Sequence, residues 1–215
     1  MAAAGGNDEA DLRRALARWH LSPEVAPALI AYRDLLARWN RVYNLSAVRD
    51  PRAMIPRHLL DSLAVVPWLP DGRLVDIGSG AGLPGLPVAI AQPQRPVTLI
   101  EPNGKKVRFL RQACLTLALH NVTIVPERVE DVVAEAPFKV AICRAFTDAA
   151  RFWALASRLL APSGQAIAMK GRLGTEPLPE LEAAGVSWRE QSLDVPGLDA
   201  SRHLLIMERS VASTG

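Results

Sequence analysis

The residues best suited to chemistry gather around one segment, Leu74-Val75-Asp76-Ile77-Gly78-Ser79-Gly80-Ala81-Gly82-Leu83-Pro84-Gly85. An apolar run gives way to closely spaced glycines and then to a helical pattern, the strand, loop and helix succession of a nucleotide site. Glycine in such a loop lets a ligand approach the backbone closely. Gly80, Gly82 and Gly85 also satisfy the spacing of a dinucleotide loop, so a nicotinamide-dependent oxidoreductase is one alternative. Charge argues against it. A pyrophosphate favours helix amides and is repelled by carboxylates, whereas S-adenosylmethionine brings a sulfonium, an ammonium group and no phosphate. Here the acids collect: Asp76 near the end of the first apolar run, Glu101 closing the second, and Glu130-Asp131 after the third. Glu101 is placed to accept hydrogen bonds from ribose hydroxyls, and Asp76 and Gly80 complete the expected cradle.

A second set of residues could meet a polyanion. Lys105, Lys106, Arg108 and Arg111 fall on one helical stretch, which suits phosphate contacts and predicts salt-sensitive RNA binding. Arg57, Lys170, Arg172, Arg202 and His203 are further candidates for that basic surface. The net charge is only +3, but most of the cations are arginine, whose planar fork suits phosphate. Arg144 is the candidate catalytic residue, placed to orient the donor carboxylate or to touch a target phosphate. Phe146 could stack a base drawn out of its helix, or pack in the core. After the fourth apolar run the chain reads Cys143-Arg144-Ala145-Phe146, without the Asn/Asp-Pro-Pro-aromatic pattern of amino-group methyltransferases and without the Pro-Cys context of a cysteine nucleophile. Cys143 therefore reads as a buried strand residue, and Cys114, amid Leu110, Leu115 and Leu117, as helix core. His58, Asp61 and Ser62 lie within five positions on a helix and lack a nucleophile elbow, so His58 reads as a structural, hydrogen-bonding histidine. No metal-ligand spacing stands out.

These residues need a scaffold. Residues 1–72 show no convincing strand: Leu12, Leu16 and Trp19, then Val25, Leu29, Tyr32, Leu36 and Trp39, repeat at helical spacing. Pro27 suggests a delayed helix start, and Pro56 an early break in the helical stretch that opens at Asp50-Pro51. From Arg73 short apolar runs alternate with helical segments, as in a parallel sheet of βαβ units. Strands are expected at 73–77, 97–101, 122–125, 139–143 and 164–169, and helices at 84–91, 104–119 and 148–160. Two further runs, 186–195 and 202–208, are separated by Pro196-Gly197 and predict an antiparallel edge pair. The expected architecture is α/β, a mostly parallel doubly wound sheet (73–215) under an N-terminal helical cap (1–72).

Composition sets outer bounds. With 215 residues, 49% hydrophobic and 22% charged, the chain fits one globular core with a small appendage rather than a disordered or fibrous class. The apolar stretch Leu83–Ala91 contains prolines and a glycine and is far short of the roughly 20 residues that span a bilayer. Met1 to Asp11 carry Asp8, Glu9 and Asp11 and no basic-then-apolar run, which argues against a secretory signal. Two widely separated cysteines suit a reducing compartment, so a cytoplasmic protein is expected.

With these motifs in view, the chain resembles the class I S-adenosylmethionine-dependent methyltransferases. It is most similar to the bacterial ribosomal RNA small-subunit methyltransferase G family, also called glucose-inhibited division protein B. The resemblance covers about residues 30–208. It is carried by Trp39-Asn40-Arg41-Val42-Tyr43-Asn44-Leu45, Arg57-His58-Leu59-Leu60-Asp61-Ser62, the glycine segment and Gly104-Lys105-Lys106-Val107-Arg108-Phe109-Leu110. Arg128-Val129-Glu130, Arg144-Ala145-Phe146, Lys170-Gly171 and Arg202-His203 continue it. What the family implies is a Rossmann-like fold and methylation of N7 of one guanine in 16S ribosomal RNA, with S-adenosylmethionine as donor. On matching positions, Gly78 and Leu83 would line the donor pocket, Val129-Glu130 would meet the adenosine portion, and Arg144 would border the place where donor and base meet. Glu101 departs from the Asp often found there. Guanine N7 exposes a lone pair, so transfer needs positioning more than proton removal. A monomer acting on 16S rRNA, the small subunit or an assembly intermediate is expected. A non-catalytic RNA-binding module on the same fold is the remaining alternative.

Overall fold

A computed structural model describes residues 3–144, 148–171 and 178–210, with side chains described from Asp8 onward. The opening third is helical: α1 (Ala3–Arg18), α2 (Ala26–Tyr43), α3 (Pro51–Met54) and α4 (Asp61–Leu63). Pro27 goes with a delayed start, as expected: Ser22 caps a short 3₁₀ turn, Pro23–Val25, and α2 begins only at Ala26, with Pro27 in its first turn where no amide is needed. Pro56, by contrast, does not end the helical path. Residues Ile55–Leu60 widen into a π-helical stretch between α3 and α4, which absorbs the missing amide without breaking the chain direction.

The remainder alternates strands and helices: β1 (Leu74–Ile77), α5 (Gly85–Ala91), β2 (Val97–Ile100), α6 (Gly104–Thr116), β3 (Val122–Val125), β4 (Phe138–Arg144), α7 (Ala149–Ala156), β5 (Leu160–Lys170), α8 (Leu178–Ala183), β6 (Val186–Leu193) and β7 (Arg202–Arg209). One seven-stranded sheet has the order β3-β2-β1-β4-β5-β7-β6. The first five strands are parallel, and β7 runs antiparallel to both β5 and β6. The last two strands pair as the sequence suggests, but β7 is inserted between β5 and β6 and is not an edge. Its Leu204-Leu205-Ile206-Met207 run is buried on both faces, whereas β6, after the buried Val186, has only exposed and half-buried positions and suits the rim.

Alternate strand residues feed two cores. Leu74, Leu99, Val140, Ile142 and Ile206 pack with α5, α6 and the N-terminal helices, including Leu12, Leu16, Leu36 and Leu63. Val75, Ile77, Ala141, Cys143 and Met207 pack with α7 and α8 on the other face. The helical cap thus shares its core with the sheet. Cys143 is fully buried, in keeping with a strand interior. Cys114 is half-buried, and burial pushes its thiol up to about 11, away from reactivity. Leu115, expected beside it in the core, is 78% exposed because it falls on the face of α6 opposite Leu110 and Ala113.

Candidate functional site

The parallel register aligns Ile77 with Ile100 and Ile100 with Val125, so the carboxyl ends of β1, β2 and β3 open onto one rim. The glycine loop lies there. Gly78, Gly80 and Gly82 all have positive φ, which only glycine adopts freely. A Cβ at Gly78 would meet nothing within 4 Å, so the space beside this backbone is open for a ligand. The loop is pinned from two sides. The amides of Gly78 and Ser79 donate to the Ile100 carbonyl at 2.9 and 3.1 Å. From the helical cap, the buried Tyr32 hydroxyl donates to the Ala81 carbonyl at 2.7 Å. Leu83, a predicted donor residue, is buried where the loop turns into α5.

Glu101 is 4% exposed and ties two loops together: Oε2 accepts from the Gly80 amide at 2.8 Å and Oε1 from the Asn103 amide at 2.9 Å. Each oxygen keeps a second lone pair for a ligand. Lys106 Nζ stands 3.7 Å from Oε2, so this lysine belongs to the glycine-loop side, while Lys105, Arg108 and Arg111 lie on the exposed face of α6. Asp76 sits beneath the loop. It is fully buried, its Oδ2 accepts from the Gly85 amide at 2.8 Å, and its Oδ1 has no partner among the described residues. Burial pushes its carboxyl up to about 7, against the pull of the Gly85 amide and Arg144, with Glu101 adding to the rise. Val129 and Glu130 form a short 3₁₀ turn after β3; Val129 is buried, and Glu130 points outward, 3.9 Å from Arg151.

A cavity of about 680 Å³ opens beyond the end of β4. It is lined by Arg57, His58, Asp61, Arg144, Lys170 and Arg202, with Val48, Met169 and the 197–200 segment completing its wall. Arg144, at the end of β4, donates through Nη1 to Asp61 Oδ2 at 3.3 Å and to the Arg57 carbonyl at 3.2 Å. Arg202, at the start of β7, donates through Nε to Asp61 Oδ1 at 2.8 Å. His58 donates from Nδ1 to the Arg57 carbonyl at 2.9 Å, which assigns Nε2 as acceptor from the Ser46 hydroxyl at 2.6 Å. Burial, then the nearby Arg144, hold His58 below its ordinary pKa, so it stays neutral and structural. Arg144 also acts electrostatically on Asp76 of the neighbouring strand β1. His203 lies outside the cavity: its Nδ1 is 2.6 Å from Glu190 on β6, although its backbone pairs with Lys170. Phe146 and Arg172 fall outside the described residues.

The model of the rRNA small subunit methyltransferase G family matches residues 26–205. The chain belongs to that family. A methyltransferase G of Methylobacillus flagellatus is 48% identical over 188 residues, covering 87% of this chain and 90% of the relative. One from Xanthomonas oryzae pv. oryzae is 44% identical over 201 residues, covering 94% and 95%. Among solved structures, the glycopeptide N-methyltransferase MtfA complexed with S-adenosyl-L-methionine superposes with a TM-score of 0.60 at 11% identity, covering 72% of this chain and 88% of that one. This likeness shows a Rossmann-like methyltransferase fold. With family membership, the nicotinamide alternative falls away. No helix among the described residues is long and apolar enough to cross a membrane, and no group of three or more metal-ligating side chains forms among them.

Several residues that brace the candidate site had no such role assigned from the sequence. Tyr32 looked like one more apolar position of α2, yet it braces the glycine loop. Asn40 is buried and closes the turn after α2, donating to the Ser46 and Val48 carbonyls and accepting from the Ser46 amide. Asp61 stood out only within a motif, and its partners lie 83 and 141 positions away.

Proposed function

We propose that this chain transfers a methyl group from S-adenosylmethionine to N7 of a guanine in 16S ribosomal RNA, acting as a cytoplasmic monomer built of a helical cap, 1–72, and a donor domain, 73–215. The observation that carries this reading is an acidic, glycine-floored rim at the ends of β1 and β2 beside a cationic cavity at the end of the neighbouring strand β4, where Arg144 lines the wall. The open backbone at Gly78 and the buried carboxylate of Glu101 fit a cationic nucleoside better than a pyrophosphate. When bound, the donor supplies an electrophilic methyl group on a sulfonium.

The residues then have distinct tasks. Gly78, Gly80 and Leu83 shape the donor pocket, Glu101 accepts from the ribose, and Val129-Glu130 border the adenosine. Asp76 shapes the loop from below, through its bond to the start of α5. Arg144 sits where donor and base meet, and Lys170 and Arg202 face the RNA, with His203 near the same rim. Lys105, Lys106, Arg108 and Arg111 contribute positive charge along α6. Guanine N7 carries no proton, so the step needs no general base. Consistent with this, both nitrogens of His58 are already engaged. Catalysis then rests on alignment, which can be worth on the order of 7–11 kcal/mol in favourable cases.

The test is to incubate the protein with labelled donor and purified small subunits and to map the label. A methyl on guanine N7 is expected; label confined to protein or to an exocyclic amine overturns the assignment. RNA binding without single-turnover transfer would favour the non-catalytic alternative. Glu101→Ala should weaken binding of S-adenosylhomocysteine about tenfold or more, the size of a lost charge-assisted hydrogen bond. Glu101→Gln, which keeps one acceptor oxygen, should lose less. Unchanged affinity in both, measured by calorimetry, would remove Glu101 from the pocket.

A further inference from the structure

We infer that Asp61 is a positioning residue that holds Arg144 and Arg202 as a two-pronged clamp on a phosphodiester of the bound RNA. This inference rests on the reading of the chain as an RNA methyltransferase.

Asp61 is 4% exposed, and its two oxygens are shared between two guanidinium groups, one from the end of β4 and one from the start of β7. A carboxylate that merely closed a helical turn would need neither. The arginine side chains are 22% and 25% exposed and line the cavity, so part of each remains available to a ligand. Two guanidinium groups drawn together repel each other; a carboxylate between them cancels that repulsion and fixes their orientation.

The sign of the cavity follows. Arg144 and Arg202 bring two positive charges against the one negative charge of Asp61, and on the wall the charges of Arg57 and Asp199 offset one another. The trio of Asp61 and its two arginines alone retains one positive charge, the complement of a single phosphodiester. The donor's carboxylate shares the chemistry of an anion, but the clamp reaches away from the glycine loop: Arg202 lies on β7, on the far side of β5 from β1. An RNA phosphate is therefore the occupant assigned.

The test measures steady-state methylation of small-subunit RNA together with S-adenosylhomocysteine binding. Asp61→Asn keeps the shape but removes the charge. It should raise KM for RNA about tenfold or more with donor affinity moving far less, because the clamp grips RNA and not the donor; kcat falls to the extent that Arg144, beside the reacting atoms, is loosened with it. The slope of log affinity against log salt should flatten by about one phosphate contact, a readout that a purely architectural role would leave alone. In the double variant with Arg202→Gln the losses should not add, since Asp61 acts through Arg202.

Wild-type KM and salt slope in Asp61→Asn overturn the inference, as does a loss confined to donor affinity, or full additivity in the double variant. Should Asp61→Asn fail to fold, Arg202→Lys carries the test: the charge stays but the fork is lost, and a wild-type KM for RNA there overturns the clamp. If the wild-type protein itself places no methyl on guanine N7, the proposed function fails instead, and the two failures are told apart by that control.

Discussion

The two sides of the cleft are held by different kinds of bond. On the glycine-loop side the ties run mostly between backbone groups, or between backbone and one side chain: Gly78 and Ser79 to Ile100, Gly80 to Glu101, Gly85 to Asp76. On the cationic side the central ties run between side chains brought from residues 61, 144 and 202, with the Arg57 carbonyl as a backbone acceptor beside them. A backbone cradle has one shape and tolerates little added volume. A side-chain cradle tolerates volume and is sensitive to charge. Substitutions should therefore separate the two sides by the kind of change that damages them.

The largest effect is expected from Gly85→Ala. A Cβ there would lie 2.4 Å from Leu99 Cδ2 and 2.7 Å from Asp76 Oδ2, and neither neighbour has room to retreat in a fully buried layer. Overpacking of this kind costs about 1–3 kcal/mol or more. Thermal denaturation should show a Tm lowered by several degrees, and calorimetry should show weakened donor binding. RNA affinity of the folded fraction should change much less. Equal losses of donor and RNA affinity would show that the two sides do not act independently.

A subtler change on the same side is Asp76→Asn. In the wild type, burial raises the carboxyl from 3.8 to about 7, while the unfolded chain keeps the ordinary value. The sign follows from linkage: native and unfolded states are both protonated at low pH, and as pH rises through the unfolded value the unfolded state ionises first. This group's contribution therefore falls as pH climbs from about 4 and levels off above about 7. Asparagine can still accept from the Gly85 amide and has no proton to lose. The stability of the variant relative to wild type should therefore rise across that window, read from urea unfolding at several pH values. A pH-independent difference would mean that Asp76 is ionised throughout, stabilised by an unseen partner at Oδ1.

The same contrast explains what could be read from the chain. The glycine loop and the five parallel strands were legible because each is a local pattern: short apolar runs, most completely buried in β1, where glycines that take positive φ follow. Boundaries drifted where local signals conflicted. Strand β5 begins at Leu160 rather than 164, since Pro162, Ser163 and Gly164 look like a turn but are carried in the strand opposite a register shift between Phe138 and Val140. Helix α6 ends at Thr116, before Ala118 takes a positive φ that no local residue type announced. The insertion of β7 depends on which strand tolerates burial on both faces, a comparison between elements rather than a pattern within one. The Asp61 junction was invisible for a deeper reason: a carboxylate shared by two arginines leaves no periodicity and no fixed spacing.

The smallest effect should come from the one basic face that serves neither cradle directly. Lys105 and Arg108 are exposed on α6 and, among the described residues, make no ion pair, whereas Lys106 is drawn toward Glu101. If the outer face meets RNA through phosphate charge alone, Arg108→Ala should reduce affinity by a few-fold at low salt, uniformly across RNA sequences, and lower the salt slope by about one. Stability should stay within about 0.5 kcal/mol of wild type, because nothing buried is disturbed. Donor affinity should be untouched. Lys106→Ala should differ in kind: removing the cation beside Glu101 alters the donor side as well, so donor affinity should shift together with RNA affinity. If the two variants behave alike, charge on α6 acts as a diffuse field over the whole cleft, and the boundary between its two sides must be drawn at Arg144 rather than at the helix.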